Sequence, residues 1–145
     1  MTLTDNLENK AFVIVKVQDI NDHAPVFQIS PYKFSISSQT PIEGTSGGTY
    51  VGTVMATDND FLSENRQVRY SLFGIPGPLG FRVTSSGELY IENSPRDYAG
   101  QTINTTIAAT DGRNGVTVVA MVTVIGSLTT PPATTTPTTT TTGTF

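Results

Sequence analysis

Side chains that donate oxygen ligands are concentrated in three short stretches of this sequence, "QDINDHAP", "ATDND" and "AATDG". They are Asp19, Asn21, Asp22, Asp58, Asp60 and Asp111. The chain has no cysteine and one histidine, so a site built here would consist mainly of carboxylate, amide and carbonyl oxygens. Calcium takes six to eight such oxygens, and zinc sites of the usual kind need nitrogen or sulfur ligands. These residue types therefore predict a calcium site.

The residues between these stretches predict an all-β fold. Alternating or β-branched runs bounded by turn residues recur at short intervals, and no segment has a convincing helical period. The predicted strands lie at residues 11–17, 32–37, 50–57, 68–73, 81–83, 88–91, 101–110 and 116–124. A chain of 145 residues has room for one such domain of about 100 residues and some flanking segments.

Each acidic stretch lies where a predicted strand begins or ends. Loops at one end of a β-sandwich converge, so the three stretches could share one pole of the domain. Taken singly, each Asp or Asn is also explained by a turn, because these side chains commonly bond their own backbone. Only their joint placement at strand ends favours a cation site.

Other motif matches lack the context that their chemistry needs. "GTSGG" places Ser46 before a strand without a following helix, so it does not form a hydrolase elbow. "DNDFLSENRQVR" has Leu62 and Arg69 at ligand positions of an EF-hand loop, which excludes that loop. The net charge of −4 argues against a nucleic-acid partner. The sequence contains no constellation typical of an enzyme.

Five motifs, in order and spacing, resemble the cadherin ectodomain. They are "VKVQDINDHAPVF", "ATDND", "NRQVRYSL", "FRVTSSGELYI" and "AATDG", and the resemblance covers roughly residues 1–127. It implies a seven-stranded Greek-key β-sandwich of immunoglobulin-like architecture. The calcium site nearest the repeat would use the side chain of Asn21, the carbonyl of His23, the carboxylates of Asp58 and Asp60, the carbonyl of Asn65 and the carboxylate of Asp111. Asp19 and Asp22 would serve neighbouring ions that also need acidic residues of a preceding repeat.

The resemblance and the composition together predict four parts of the chain. Residues 1–18 are the final strand region of a preceding repeat, 19–25 a calcium-binding linker, 26–127 a complete repeat, and 128–145 a disordered Thr/Pro-rich stalk. After Val124 the chain reads "IGSLTTPP", which lacks the acids of "QDINDHAP". We therefore expect the last repeat of its run, in which Glu43 and Asp97 are surface acids and not ligands. The stalk is of the mucin-like, O-glycosylated type; an unmodified linker is the alternative.

Two functions are compatible with this interpretation. The first is a calcium-binding extracellular module that supports calcium-dependent, homophilic cell–cell adhesion with another cadherin-type ectodomain. The second is a non-adhesive, glycosylated spacer that presents outer domains. In both, the resemblance places the repeat on the extracellular side of the plasma membrane, as part of a single-pass protein. "NTT" at Asn104 is an N-glycosylation sequon, and the alternation of Ile103, Thr105 and Ile107 predicts an exposed Asn104.

Overall fold

The computed structural model describes residues 12–42 and 47–126, and these form a β-sandwich. Its strands are β1 (Val26–Phe27), β2 (Tyr32–Ser37), β3 (Thr49–Thr53), β4 (Ala56–Thr57), β5 (Arg69–Leu72), β6 (Phe81–Val83), β7 (Glu88–Ile91), β8 (Thr102–Thr110) and β9 (Gly115–Ile125). One turn of 3-10 helix, Arg96–Tyr98, precedes β8. Within the described ranges no helix is long and apolar enough to cross a membrane.

The strands form two main sheets and one short pair. One sheet has the order β2-β9-β8-β5, with β2 and β9 parallel and the other neighbours antiparallel. The second has the order β3-β7-β6 and is antiparallel. β1 pairs with β4 alone. The long β8–β9 hairpin contributes the largest ladder, with partners from Thr102 and Thr123 to Thr110 and Gly115.

The core lies between the two main sheets. Alternate residues of β8 and β9 point inward, among them Ile107, Val122 and Val124, each with no exposed surface. Leu89 and Ile91 of β7 face them from the opposite sheet and are equally buried. Period-two alternation is what a sheet with one buried face requires, and it explains why the sequence pattern locates these strands.

The predicted sandwich is confirmed, with two strands interrupted. β1 and β2 are separated by residues 28–31, and the predicted strand 50–57 is divided into β3 and β4. At that break the amide of Val54 donates to the carbonyl of Gly87 instead of continuing the β3–β7 ladder. Counting each interrupted pair as one strand gives the seven strands of the predicted fold. β1 and the 3-10 turn were not predicted, because both are too short to show a period.

The described part of the predicted strand at 11–17 forms no strand in this structure. Ala11 lies outside the described residues, and Phe12 to Val17 belong to no strand. Their apolar side chains are exposed, with Ile14 at 93% and Val17 at 89%. A strand forms only when a neighbouring strand satisfies its backbone groups. None of the described strands pairs with this segment, so its backbone groups have no ladder partner there.

Candidate metal centre

Three segments meet at one pole of the sandwich. The entering segment, residues 19–23, precedes β1. The second segment follows β4 and carries Asp58 and Asp60, and the third is the β8–β9 turn, residues 111–114. Hydrogen bonds connect the entering segment to both of the others. The convergence predicted from strand ends is therefore present.

Two tyrosine hydroxyls fix the chain just before the second segment. Tyr32 Oη accepts from the amide of Met55 at 2.9 Å and donates to its carbonyl at 2.8 Å. Tyr70 Oη accepts from the amide of Ala56 at 2.6 Å. These bonds replace ladder partners where β3 has ended, and they set the direction in which β4 leads to Asp58.

Asp58, Asp60 and Asp111 form a compact carboxylate cluster. One carboxylate oxygen from each lies within 4.8 Å of the others. Asp58 and Asp60 are buried, at 8% and 3% exposure. The amide of Asp60 donates to Asp58 Oδ1 at 2.9 Å, yet Oδ2 of Asp58 and Oδ2 of Asp60 are buried without a hydrogen-bond partner. Buried carboxylate oxygens without a partner are costly, so this cluster fits a cation bound by oxygen.

Asp60 also joins a second group with Asp22 and His23. Its Oδ1 accepts from the amide of His23 at 3.2 Å and lies 2.8 Å from His23 Nδ1, which is 3.0 Å from Asp22 Oδ1. The hydrogen bond to Asp60 raises the pKa of His23 above its usual value. Burial raises the pKa of Asp60, but the hydrogen bonds from His23 and Asp22 outweigh it and hold that pKa below its usual value.

Asp19 lies at the edge of the site, apart from both groups. Its Oδ2 accepts from the amide of Leu62 at 3.0 Å and from Asn65 Nδ2 at 2.8 Å. These bonds lower the pKa of Asp19, the one from the Leu62 amide most strongly. Asn65 thus contacts the entering segment through its side chain, whereas the resemblance implied a role for its carbonyl. The carbonyl's role stays a prediction.

The β8–β9 turn holds Asp111 in place. Asp111 Oδ1 accepts from the amides of Arg113 and Asn114, each at 2.6 Å. Burial raises the pKa of Asp111, but these bonds and one from the Asn114 side chain hold it below its usual value. Asn114 Nδ2 also donates to Asn21 Oδ1 at 3.0 Å and to the carbonyl of His23 at 2.7 Å. The lowered pKa values of Asp60 and Asp111 favour their ionised forms, and Asn114 holds the entering segment against the turn.

The roles of several side chains at this site were not predicted from the sequence. Tyr32 and Tyr70 carry no pattern that distinguishes them from other strand tyrosines, since their role depends on a break in a distant strand. Asn114 had a signal: an Asx residue three positions after Asp111 in a Gly-containing turn. The side chain of His23 is also engaged with Asp60, beyond the carbonyl that the resemblance implied.

Asp97 and Asn104 lie away from this pole. Asp97 is exposed in the 3-10 turn and belongs to no cluster of ligand-type side chains among the residues described. Glu43 lies outside the described residues. Asn104 is exposed on β8, while Thr105 and Ile107 are buried, as the alternation predicted.

Comparison with known proteins adds independent information. No protein-family model matches the chain. Human Protocadherin-18 is 34% identical over 128 residues, which is 84% of this chain and 11% of that protein. Mouse Cadherin-23 is 37% identical over 106 residues, 72% of this chain and 3% of that protein. The chain thus spans about a tenth or less of the length of these relatives.

The solved structures show the same fold. The crystal structure of mouse cadherin-23 EC22-24 matches with a TM-score of 0.63 and 34% identity, over 76% of this chain and 33% of that one. We call the end of the sandwich that carries Asp58, Asp60 and Asp111 the acidic pole. The fold and this pole define a β-sandwich module with a docked entering segment. Together with the sequence similarity, they show that this chain contains a cadherin ectodomain repeat.

Proposed function

We propose that the acidic pole is a calcium site. The observation that carries this proposal is a pair of buried carboxylate oxygens, Asp58 Oδ2 and Asp60 Oδ2, that have no hydrogen-bond partner. The carboxylate of Asp111 lies close to both side chains. Three carboxylates held close together repel one another, and a divalent cation reverses the sign of that interaction. Calcium accepts the irregular, all-oxygen arrangement of this cluster better than magnesium, which demands near-ideal octahedral geometry.

The groups that would hold this ion come from all three segments. Asp58, Asp60 and Asp111 would supply carboxylates, and Asn21 and His23 would supply a side-chain oxygen and a carbonyl. The carbonyl of Asn65 completes the set implied by the family resemblance. When bound, calcium would supply positive charge that ties the entering segment to the sandwich. Asp19 and Asp22 would serve neighbouring ions at the junction with a preceding repeat.

The exposed apolar surface beside the entering segment supports the proposed domain organisation. Val17, Ile20 and Phe61 line a groove next to Asp19, and Phe61 is 82% exposed. Apolar groups around an acidic junction are expected to be covered when a neighbouring domain packs there. We therefore retain residues 1–18 as the end of a preceding repeat, 19–25 as the linker and 26–127 as the repeat. The stalk at 128–145 lies outside the described residues and rests on its composition.

The function that this arrangement supports best is calcium-dependent cell–cell adhesion. In this role the chain is one repeat of a larger protein on the extracellular side of the plasma membrane, and its partner is another cadherin-type ectodomain, homophilic or related. Support comes from the cadherin and protocadherin relatives and from the acidic pole. The alternative, a glycosylated spacer that makes no adhesive contact, is supported by the Thr/Pro-rich composition after residue 127.

Two experiments test this proposal at different levels. Calcium added to the 145-residue chain should raise its melting temperature, because a ligand that binds only the folded state stabilises it, and magnesium should do so less effectively. Beads coated with the complete ectodomain should aggregate in calcium and disperse in EDTA. Calcium-stabilised protein whose beads never aggregate would favour the spacer, and the absence of any calcium response would refute the site itself.

A further inference from the structure

The side-chain amide of Asn114 lies among three oxygen atoms of the proposed calcium site. Its Nδ2 is 2.7 Å from the carbonyl oxygen of His23, 3.0 Å from Asn21 Oδ1 and 3.1 Å from Asp111 Oδ2. Two of these acceptors belong to the entering segment and one to the β8–β9 turn. Asn114 is thus the residue through which the turn bonds the groups of Asn21 and His23 that face the site.

The chemistry of the contact depends on the amide nitrogen. All three neighbours are acceptors, so only the donor end of the amide can face them; the amide oxygen in the same place would be repelled. The NH₂ group carries partial positive charge to these three oxygens. The turn makes another contact with the entering segment, from Arg113 Nη1 to the carbonyl of Asn21 at 2.9 Å, but that bond does not reach the Asn21 side chain, the His23 carbonyl or Asp111 Oδ2. The NH₂ group of Asn114 therefore performs, weakly, the bridging that a cation would perform strongly.

The backbone of Asn114 is fixed independently of its side chain. Its amide donates to Asp111 Oδ1 at 2.6 Å, and its carbonyl accepts from Thr110 Oγ1 at 2.7 Å. Removing the side chain would leave these bonds, and with them the shape of the turn. The contacts made by Nδ2 are consequently separable, by mutation, from the folding of the hairpin.

We propose that Asn114 is a metal-free latch, whose amide nitrogen holds the entering segment against the sandwich until calcium takes over the same oxygens. The latch itself concerns only the calcium-free protein, whereas its release rests on the proposed calcium site. Without calcium, repulsion among the acidic side chains favours release of the linker, and the Asn114 contacts oppose that release. Calcium then takes the place of the Asn114 amide nitrogen as the partner of these oxygens, and it binds a segment that is already docked.

The test measures amide exchange in the full 145-residue chain by NMR, in EDTA and in calcium. The amides of Asp22 and His23 report docking, because both donate to Asp60 Oδ1. In EDTA, Asn114→Ala should speed their exchange roughly tenfold, the effect of losing about one net hydrogen bond. In saturating calcium their protection should return to the wild-type level.

Two further variants separate the latch from a structural role. Asn114→Asp cannot donate, so it should lose protection in EDTA as the alanine variant does, and its extra carboxylate should enlarge the calcium-induced rise in melting temperature. Asn93→Ala is the matched control, since Asn93 Nδ2 donates to the carbonyl of Pro78, away from the acidic pole. It should leave the Asp22 and His23 amides unchanged in both conditions.

Two results would overturn the latch. One is wild-type protection of Asp22 and His23 in Asn114→Ala in EDTA, and the other is protection lost equally in EDTA and in calcium. β8–β9 amide signals confirm that each variant is folded. A third outcome separates the two proposals. If calcium has no effect on the wild-type protein but Asn114→Ala still loses protection in EDTA, the calcium site is refuted and the metal-free contact of Asn114 is supported.

Discussion

Replacing Asp58 with asparagine tests the calcium site with the least disturbance of the fold. Asparagine keeps the shape of the side chain and the Oδ1 that accepts from the amide of Asp60 at 2.9 Å. It removes one negative charge from a cluster whose three carboxylate oxygens lie within 4.8 Å of one another, and it replaces a buried, unpartnered oxygen with an amide nitrogen. The variant should therefore lose calcium binding without losing the sandwich.

Asp58→Asn should change the melting temperature in opposite directions in calcium and in EDTA. In calcium at one hundred times the dissociation constant, the wild-type chain should gain about 2.7 kcal/mol, or a rise of roughly 10 °C in melting temperature for a domain of about 100 residues. Asp58→Asn should abolish most of this rise. In EDTA it should melt at or above the wild-type temperature, because one member of a repelling set has become neutral.

The assay is thermal unfolding followed by circular dichroism, with and without calcium. Asp97→Asn is the matched control: it makes the same chemical change in an exposed acid outside the clusters. The reasoning is refuted if Asp58→Asn retains the full calcium response, or if Asp97→Asn abolishes it equally. A large loss of stability in EDTA would instead identify Asp58 as a structural residue of its turn.

Three other measurements follow from the structure. Tyr70→Phe leaves the first backbone amide of β4 without its acceptor, so unfolding should become easier by about 1–3 kcal/mol, as chemical denaturation would show. In EDTA, the free energy of unfolding should be largest between about pH 4 and 6.5. The lowered pKa values of Asp60 and Asp111 stabilise the fold above the usual pKa of 3.8, and this stabilisation is lost as the pH falls through their folded pKa values. The raised pKa of His23 stabilises the fold below the usual pKa of 6.5, and this stabilisation is lost as the pH rises through its folded pKa. His23→Ala should remove the alkaline decline and weaken the acidic one, because the His23 side chain also helps to lower the pKa of Asp60. A flat profile for the wild-type chain would contradict the assignment. Expression through a eukaryotic secretory pathway should add a glycan that is absent from Asn104→Gln, visible as a mobility difference on a gel; identical mobility would argue against its use.

The positions of the strands could be predicted from the sequence because one side of each long strand is buried, whereas their Greek-key order was implied by the family resemblance. Residues 32–37, 81–83 and 88–91 match β2, β6 and β7 at both ends, since alternating side chains and Gly or Pro turns mark them locally. The segment at 11–17 has the same local pattern, yet its described residues, 12–17, form no strand. Pairing depends on a partner elsewhere in space, and period alone does not reveal whether one is present.

The sequence by itself determined which residues could bind a cation, because carboxylates and amides at strand ends are readable as types and positions. Only the tertiary structure decided how they are used. It buried Asp58 and Asp60 with unpartnered oxygens and placed Asp19 outside the cluster. It also set Asn114 against the entering segment from more than ninety positions away. Burial and hydrogen bonding depend on distances between remote segments, which folding fixes and spacing along the chain does not.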